Sequence, residues 1–234
     1  MHDWLESVLK EEYQFIKRLR NTDKTGIVVL EHRTLHKRII KRTFTGNAEV
    51  YQKILTLKHN NMPEIYEVTE HNGKVTVLEE YIDGVTLFEL LQDELYIENA
   101  VKALVSELCD VLSLLHTHNI VHRDIKPENI MIDDTYTVKL IDFDSARIYK
   151  PFYPRDTEYL GTVGYAAPEQ YDESATDTRA DIFSLGVLMN VMLTGRNPSV
   201  QLYQGKLQKV IEKCIQVSPD KRFQTAQELK RSLK

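Results

Sequence analysis

The sequence predicts an α+β chain in two parts: a small β-rich lobe with one inserted helix and a larger, mostly helical lobe. Three observations predict it. The first eighty residues are dominated by short β-branched runs broken by turn signals, the pattern of a small sheet. After Asp83-Gly84 the apolar spacing changes to that of long helices, which puts the boundary between residues 1–82 and 83–234. Hydrophobic residues make up 42% and charged residues 28% of 234 positions, enough apolar surface for a sizeable core and too little polarity for global disorder.

Taken in order, Trp4, Leu5, Val8, Leu9, Phe15, Ile16 and Leu19 fall at helical spacing, so the chain is expected to open with a helix. Strand candidates follow at residues 26–30 and 37–41, the latter carrying the Ile39-Ile40 pair. Residues 48–57 read as a helix. Residues 64–69 and 74–80 read as two strands around a His-Asn-Gly turn at 71–73. In the second part, Val101, Leu104, Val105, Leu108, Val111, Leu112 and Leu115 mark one face of a long helix, and further helices are expected at 178–193, 207–216 and 225–233.

The bulk properties also exclude functions. A formal net charge of −5 argues against a nucleic-acid binder, which usually presents a basic face. The amino-terminal stretch is amphipathic and acidic, without the basic start and apolar run of a signal peptide. The most apolar run, residues 182–193, is interrupted by Ser184, Gly186 and Asn190 and is too short to span a bilayer. The expectation is a soluble, cytoplasmic chain with no membrane partner. Cys109 and Cys214 both lie in apolar, helix-like segments and read as buried free thiols.

The residues that carry chemistry are His122-Arg123-Asp124-Ile125-Lys126-Pro127-Glu128-Asn129, just after the long helix, and Asp142, thirteen residues beyond Asn129. Strand candidates at 130–132 and 137–141 lie between them, and a hairpin there would bring Asn129 and Asp142 to one end. Such a cluster suits phosphoryl transfer. The oxygens of Asn129 and Asp142 are hard ligands fit for Mg²⁺, which would bridge nucleotide phosphates. Asp124 is placed to orient and deprotonate a hydroxyl, and Lys126 to neutralise charge on the transferred group.

The His-Arg-Asp-Ile-Lys-Pro-Glu-Asn run, the Asp142-Phe143 pair and the later Ala167-Pro168-Glu169 resemble the signature set of protein kinases. Lys126 with Thr162 resembles the serine/threonine pattern, and the Tyr-Ala-Ala-Pro-Glu-Gln wording with a compact tail is similar to bacterial members. The resemblance implies a bilobal kinase fold, ATP and Mg²⁺ as cofactors, and serine or threonine hydroxyls of proteins as substrates. It implies that Lys41, in Arg38-Ile39-Ile40-Lys41, contacts the α and β phosphates and pairs with Glu49. It implies that Glu80 and Ile82 bond adenine through their backbone, and that Gly26 and Val28 belong to the loop over the phosphates. Asp181 resembles the buried aspartate that holds the catalytic loop, and Arg222 the buried partner of Glu169.

The chain departs from the pattern at two places. The stretch Arg20-Asn21-Thr22-Asp23-Lys24-Thr25-Gly26 keeps only the last glycine of a glycine-rich loop, and Asp144 stands where the family has glycine. Glu79 takes a position where an apolar residue is commoner, and is expected to bond a polar group of the neighbouring strand or helix. In the loop after Asp144, Thr157 is an autophosphorylation candidate beside Glu158 and Tyr159. Two functional readings stand: an active Mg–ATP-dependent protein serine/threonine kinase, and a pseudokinase that binds nucleotide or a partner without efficient transfer.

Overall fold

The computed structural model describes residues 2–22, 25–150, 162–171 and 176–234, the side chains of His2 and Asp3 excepted. The chain divides into two compact units, one formed by Met1–His59 with Pro63–Asp83, the other by Asn60–Met62 with Gly84–Lys234.

The first unit opens with helix α1 (His2–Glu12), followed by strands β1 (Tyr13–Asn21), β2 (Thr25–His32) and β3 (Arg38–Thr45), helix α2 (Glu49–Ile54), and strands β4 (Ile65–His71) and β5 (Lys74–Glu80). The strands form one sheet in the order β1-β2-β3-β5-β4. The opening helix is thus shorter than the apolar spacing predicts. Phe15, Ile16 and Leu19 belong to β1 and are exposed, because residues 13–21 pair antiparallel with β2 across two register irregularities. The β4–β5 hairpin forms at the expected turn, with Asn72 at φ 50° and Gly73 at φ 73°, the left-handed pair that a tight two-residue hairpin requires.

The two faces of this sheet are covered by different helices. Residues directly opposite one another in an antiparallel ladder share a face, and neighbours along a strand alternate. One face carries Leu30, Ile39 and Leu78 and packs against Leu5 and Leu9, one helical turn apart on α1. The other carries Arg42 and Phe44, whose side chains meet Tyr51 of α2 at 5.9 Å and 5.5 Å.

The second unit contains strand β6 (Gly84–Thr86), helices α3 (Leu87–Asp93) and α4 (Glu98–Thr117), the short strands β7 (Ile120–Val121), β8 (Ile130–Asp133), β9 (Val138–Leu140) and β10 (Arg147–Ile148), and helices α5 (Arg179–Thr194), α6 (Gln208–Cys214) and α7 (Ala226–Ser232). All seven apolar residues read as one face of the long helix are buried in α4. Helix α3 starts at a capping box. Thr86 Oγ1 accepts from the Glu89 N–H at 3.1 Å, and the Glu89 carboxylate accepts from the Thr86 N–H at 2.8 Å. Residues 60–62 join this unit because Asn61 donates to Glu107 at 2.7 Å and to the Val138 carbonyl at 2.8 Å, while its own carbonyl accepts from the Leu140 N–H.

The buried ion pair read from the sequence is present. Arg222, 2% exposed, holds Glu169 through two N–H···O bonds of 2.6 Å and 2.8 Å and donates its remaining N–H groups to the carbonyls of Arg179, Gln216 and Val217. A guanidinium so fully bonded is tolerated in a core.

Candidate active site

The catalytic-loop residues are positioned by a buried carboxylate. Asp181, in the first turn of α5 and fully buried, accepts from the backbone N–H groups of His122 (2.9 Å) and Arg123 (2.8 Å) and from His116 Nε2 (2.8 Å). Burial alone would raise its pKa; the hydrogen bond and charge of His116, with the Arg123 N–H, outweigh that and hold it below the ordinary carboxylate range. The same loop is fixed from another side by Gln170, whose amide donates to the Arg123 carbonyl at 2.9 Å. His122 accepts from the Asp124 N–H at its Nδ1 and donates from Nε2 to the Ile141 carbonyl at 3.2 Å, tying the loop to the end of the β8–β9 hairpin.

On this frame four polar side chains converge. Lys126 Nζ lies 2.8 Å from Asp124 Oδ2 and donates to Thr162 Oγ1 at 2.6 Å, while the Thr162 hydroxyl donates to Asp124 Oδ1 at 2.7 Å. Asn129, 4% exposed, donates to both the carbonyl and the carboxylate of Asp124 at 2.8 Å. The β8–β9 hairpin pairs Ile130 with Leu140, and the Ile141 N–H bonds the Asn129 carbonyl at 2.9 Å, so Asp142 follows directly beside Asn129. Asp142 has φ 65°, a left-handed backbone that aspartate tolerates better than most residues. Asp144 sits two residues on, its N–H directed at Asp142 Oδ1 at 3.4 Å.

The donor set fits a hard divalent cation. The Asn129 amide nitrogen is committed to Asp124, which assigns its oxygen as the group left for a ligand, and a carboxylate stands beside it. Among the described residues no cluster of three or more His, Cys, Asp or Glu side chains could hold a metal by itself, so such an ion would draw its remaining ligands from water and phosphate.

In the first unit the structure corrects the expected pairing. Lys41 lies on the face covered by α1, opposite Leu78 and Val28, and its ammonium bonds Glu6 Oε1 at 2.6 Å rather than Glu49. Glu49 begins α2, on the other side of the sheet. A buried cation on the α2 side is Arg42, 4% exposed, whose Nε and Nη2 donate to Glu79 Oε1 at 3.3 Å and 3.1 Å. Glu79 thus finds the polar partner in the neighbouring strand that its burial demands. Neither Glu6 nor Arg42 stood out in the sequence. The signal available was the period-two alternation, which puts Lys41 and Arg42 on opposite faces.

The stretch read as a loop over the phosphates is the end of a hairpin. Pairing continues to Asn21↔Gly26, and the Thr22 N–H bonds the Thr25 carbonyl at 2.9 Å; Asp23 and Lys24 lie outside the described residues. Gly26 is in β2, where a Cβ would stand 3.0 Å from Thr43 Oγ1, and Val28 is on the α1 face. The Glu80 N–H bonds the Glu64 carbonyl at 2.8 Å, and Ile82 is buried just after β5. Thr157, Glu158 and Tyr159 lie outside the described residues.

Comparison with known proteins agrees with this geometry: the protein kinase domain profile matches residues 17–234. The chain belongs to the protein kinase family. Among curated proteins this kinase domain is 29% identical over 241 residues to the serine/threonine-protein kinase PknB of Mycolicibacterium smegmatis, an alignment covering 86% of the chain and 38% of the relative. It is 28% identical over 232 residues to a probable serine/threonine-protein kinase of Clostridium acetobutylicum (86% and 35%), and 33% identical over 162 residues to rat myosin light chain kinase 3 (68% and 20%). The kinase domain therefore spans under two fifths of the length of the bacterial relatives it matches. No described helix is long and apolar enough to cross a membrane.

Proposed function

We propose that this kinase domain transfers the γ-phosphate of Mg–ATP to serine or threonine hydroxyls of protein substrates, its own activation segment at Thr157 included. The observation that carries the reading is the Asp124 carboxylate, which accepts a threonine hydroxyl at 2.7 Å with the Lys126 ammonium 2.8 Å away. A substrate hydroxyl held in the same way is oriented for attack, and Asp124 accepts its proton as the O–P bond forms and the bond from the γ-phosphorus to the β-phosphate oxygen breaks, with ADP as the leaving group. Lys126 neutralises charge on the transferred phosphoryl group. Asn129 and Asp142 would hold Mg²⁺, whose chemistry when bound is to neutralise the nucleotide phosphates. The bacterial relatives named as serine/threonine kinases support the choice of hydroxyl. Two free, buried cysteines, with the Cys109 thiol pushed up to about 12 by burial, fit a reducing cytoplasmic setting.

The test compares wild type with Asp124→Asn in labelled ATP, Mg²⁺ and a generic protein substrate. Loss of the base lowers transfer about 10²–10⁴-fold. Equal incorporation by both proteins would falsify catalysis at this site. A second reading, nucleotide binding without efficient transfer, is favoured by the tight hairpin that replaces a glycine-rich loop. Wild type that binds Mg–ATP yet labels neither substrate nor itself would establish it.

A further inference from the structure

The chain as a whole is acidic, yet the sheet of its first unit begins on a basic edge. Residues 13–42 carry nine Lys or Arg against two Asp or Glu, in a chain of formal net charge −5. Three of those cations are paired within the unit: Arg38 with Glu31, Lys41 with Glu6 and Arg42 with Glu79. Lys17 and Arg18, on β1, have no acidic partner among the described residues. β1 is the edge strand of the sheet, and every residue from Gln14 to Asn21 is exposed. Beside the cations stand Phe15, Ile16 and Leu19, 60%, 38% and 52% exposed. An edge strand presents backbone N–H and C=O groups that no neighbour takes, and adjoining exposed apolar side chains mark a place where another chain lies.

Charge and geometry decide which chain that is. A second copy of β1 laid along the first brings Lys17, Arg18 and Arg20 close to the same cations, so like charge guards the edge against self-pairing. A flat anionic surface fits no better. Residues opposite one another share a face: Phe15 and Arg18 stand opposite Leu30 and Val28, while Lys17 and Arg20 stand opposite Val29 and Ile27. The cations are therefore divided between the two faces, and a plane reaches only one. The face of Phe15 is also the one covered by α1, which ends on the acids Glu11 and Glu12. An extended chain differs, because its own side chains alternate and reach both faces from the edge. The register of β1 is irregular between Phe15 and Lys17 and between Arg18 and Arg20, which interrupts a long ladder and leaves partner choice to side chains.

We propose that the β1 edge, residues 15–20, docks an extended acidic segment of a partner protein in which Asp or Glu alternates with apolar residues. Its carboxylates meet Lys17 and Arg18, and its apolar side chains cover Phe15, Ile16 and Leu19. The charges select the partner, and the apolar contacts add burial. The docking is independent of the transfer reaction.

The experiment titrates the full chain into a fluorescent peptide of alternating glutamate and valine, followed by anisotropy, with a lysine–valine peptide alongside. Wild type is expected to bind the acidic peptide about tenfold or more tightly than the basic one, and less tightly as salt is raised. Lys17→Glu with Arg18→Glu, checked for an unchanged thermal transition, should weaken that binding about 5- to 30-fold. Phe15→Ser with Leu19→Ser should weaken it about 3- to 10-fold. Lys209→Glu with Lys221→Glu makes the same change of net charge on exposed residues of the second unit and should leave binding within about twofold. Equal loss in both charge-reversed pairs, or no binding by wild type, overturns the inference. So does binding to vesicles of anionic lipid, but not to the peptide, that is lost with Lys17 and Arg18. Asp124→Asn should bind the peptide like wild type, so failure of the docking site and failure of the kinase reading are read separately.

Discussion

Arg123 has φ 69°, a left-handed backbone that a long side chain adopts at some energetic cost. It is sustained by bonds on both sides of its peptide units: Asp181 takes the N–H groups of His122 and Arg123, and Gln170 donates to the Arg123 carbonyl. Asp181→Ala strips the acceptor from two buried donors and is expected to lower stability by about 2–6 kcal/mol, read from the denaturant midpoint. The pH dependence follows from the same bonds. The folded pKa of Asp181 lies below its unfolded value, so its contribution is complete above the ordinary carboxylate pKa of about 4 and fades as pH falls through the folded value. Wild type should therefore lose stability more steeply in acid than Asp181→Asn, which cannot titrate; parallel acid curves would reject this assignment. Structural positions of this kind were legible in the sequence wherever a spaced motif carried them, as for Asp181 and Arg222. They were not legible for Arg42 or Glu6, whose placement depends on which face of a strand turns toward which helix.

At the scale of elements, α1 is held to the sheet by two kinds of contact, and their magnitudes decide which matters. Glu6 is 43% exposed, so its pair with Lys41 is screened by solvent and contributes at most about 1 kcal/mol. Leu9 is buried among Leu5, Leu30, Ile39 and Leu78, and truncating it removes apolar burial and leaves a cavity, about 2–3 kcal/mol. Glu6→Gln is thus expected to shift the unfolding midpoint slightly and Leu9→Ala several times more; a reversed order would mean that the ion pair anchors the helix. The long helices were easy to read because one apolar face persists over many turns, as along α4. The start of the chain was not, since the spacing of Phe15, Ile16 and Leu19 continues that of α1 while backbone pairing with β2 extends the segment. Propensity and periodicity are local; the partner strand that overrides them is not. The same pairing turns the expected phosphate loop into the end of a hairpin.

Across the whole molecule, the residues to which the chemistry is assigned lie in one stretch of chain. Asp124 and Lys126, which we propose orient the hydroxyl and neutralise the transferred group, and Asn129 and Asp142, which would hold Mg²⁺, all belong to the second unit and gather on one hydrogen-bonded frame. The first unit carries a buried apolar cluster and a buried arginine–glutamate pair. Residues of this frame other than the two that would hold the metal should then act on the transfer step more than on nucleotide affinity. Lys126 is the sharpest case, because its ammonium touches only Asp124 and Thr162 among the side chains of that frame. Lys126→Met removes a positive charge meant for the transition state and is expected to lower kcat about 10²–10³-fold while KM for ATP stays within about threefold. Steady-state kinetics at varied ATP checks this, together with direct Mg–ATP binding. A rise in KM with kcat retained would instead make Lys126 a ground-state phosphate ligand, and the charge that the transition state requires would have to come from elsewhere in the site.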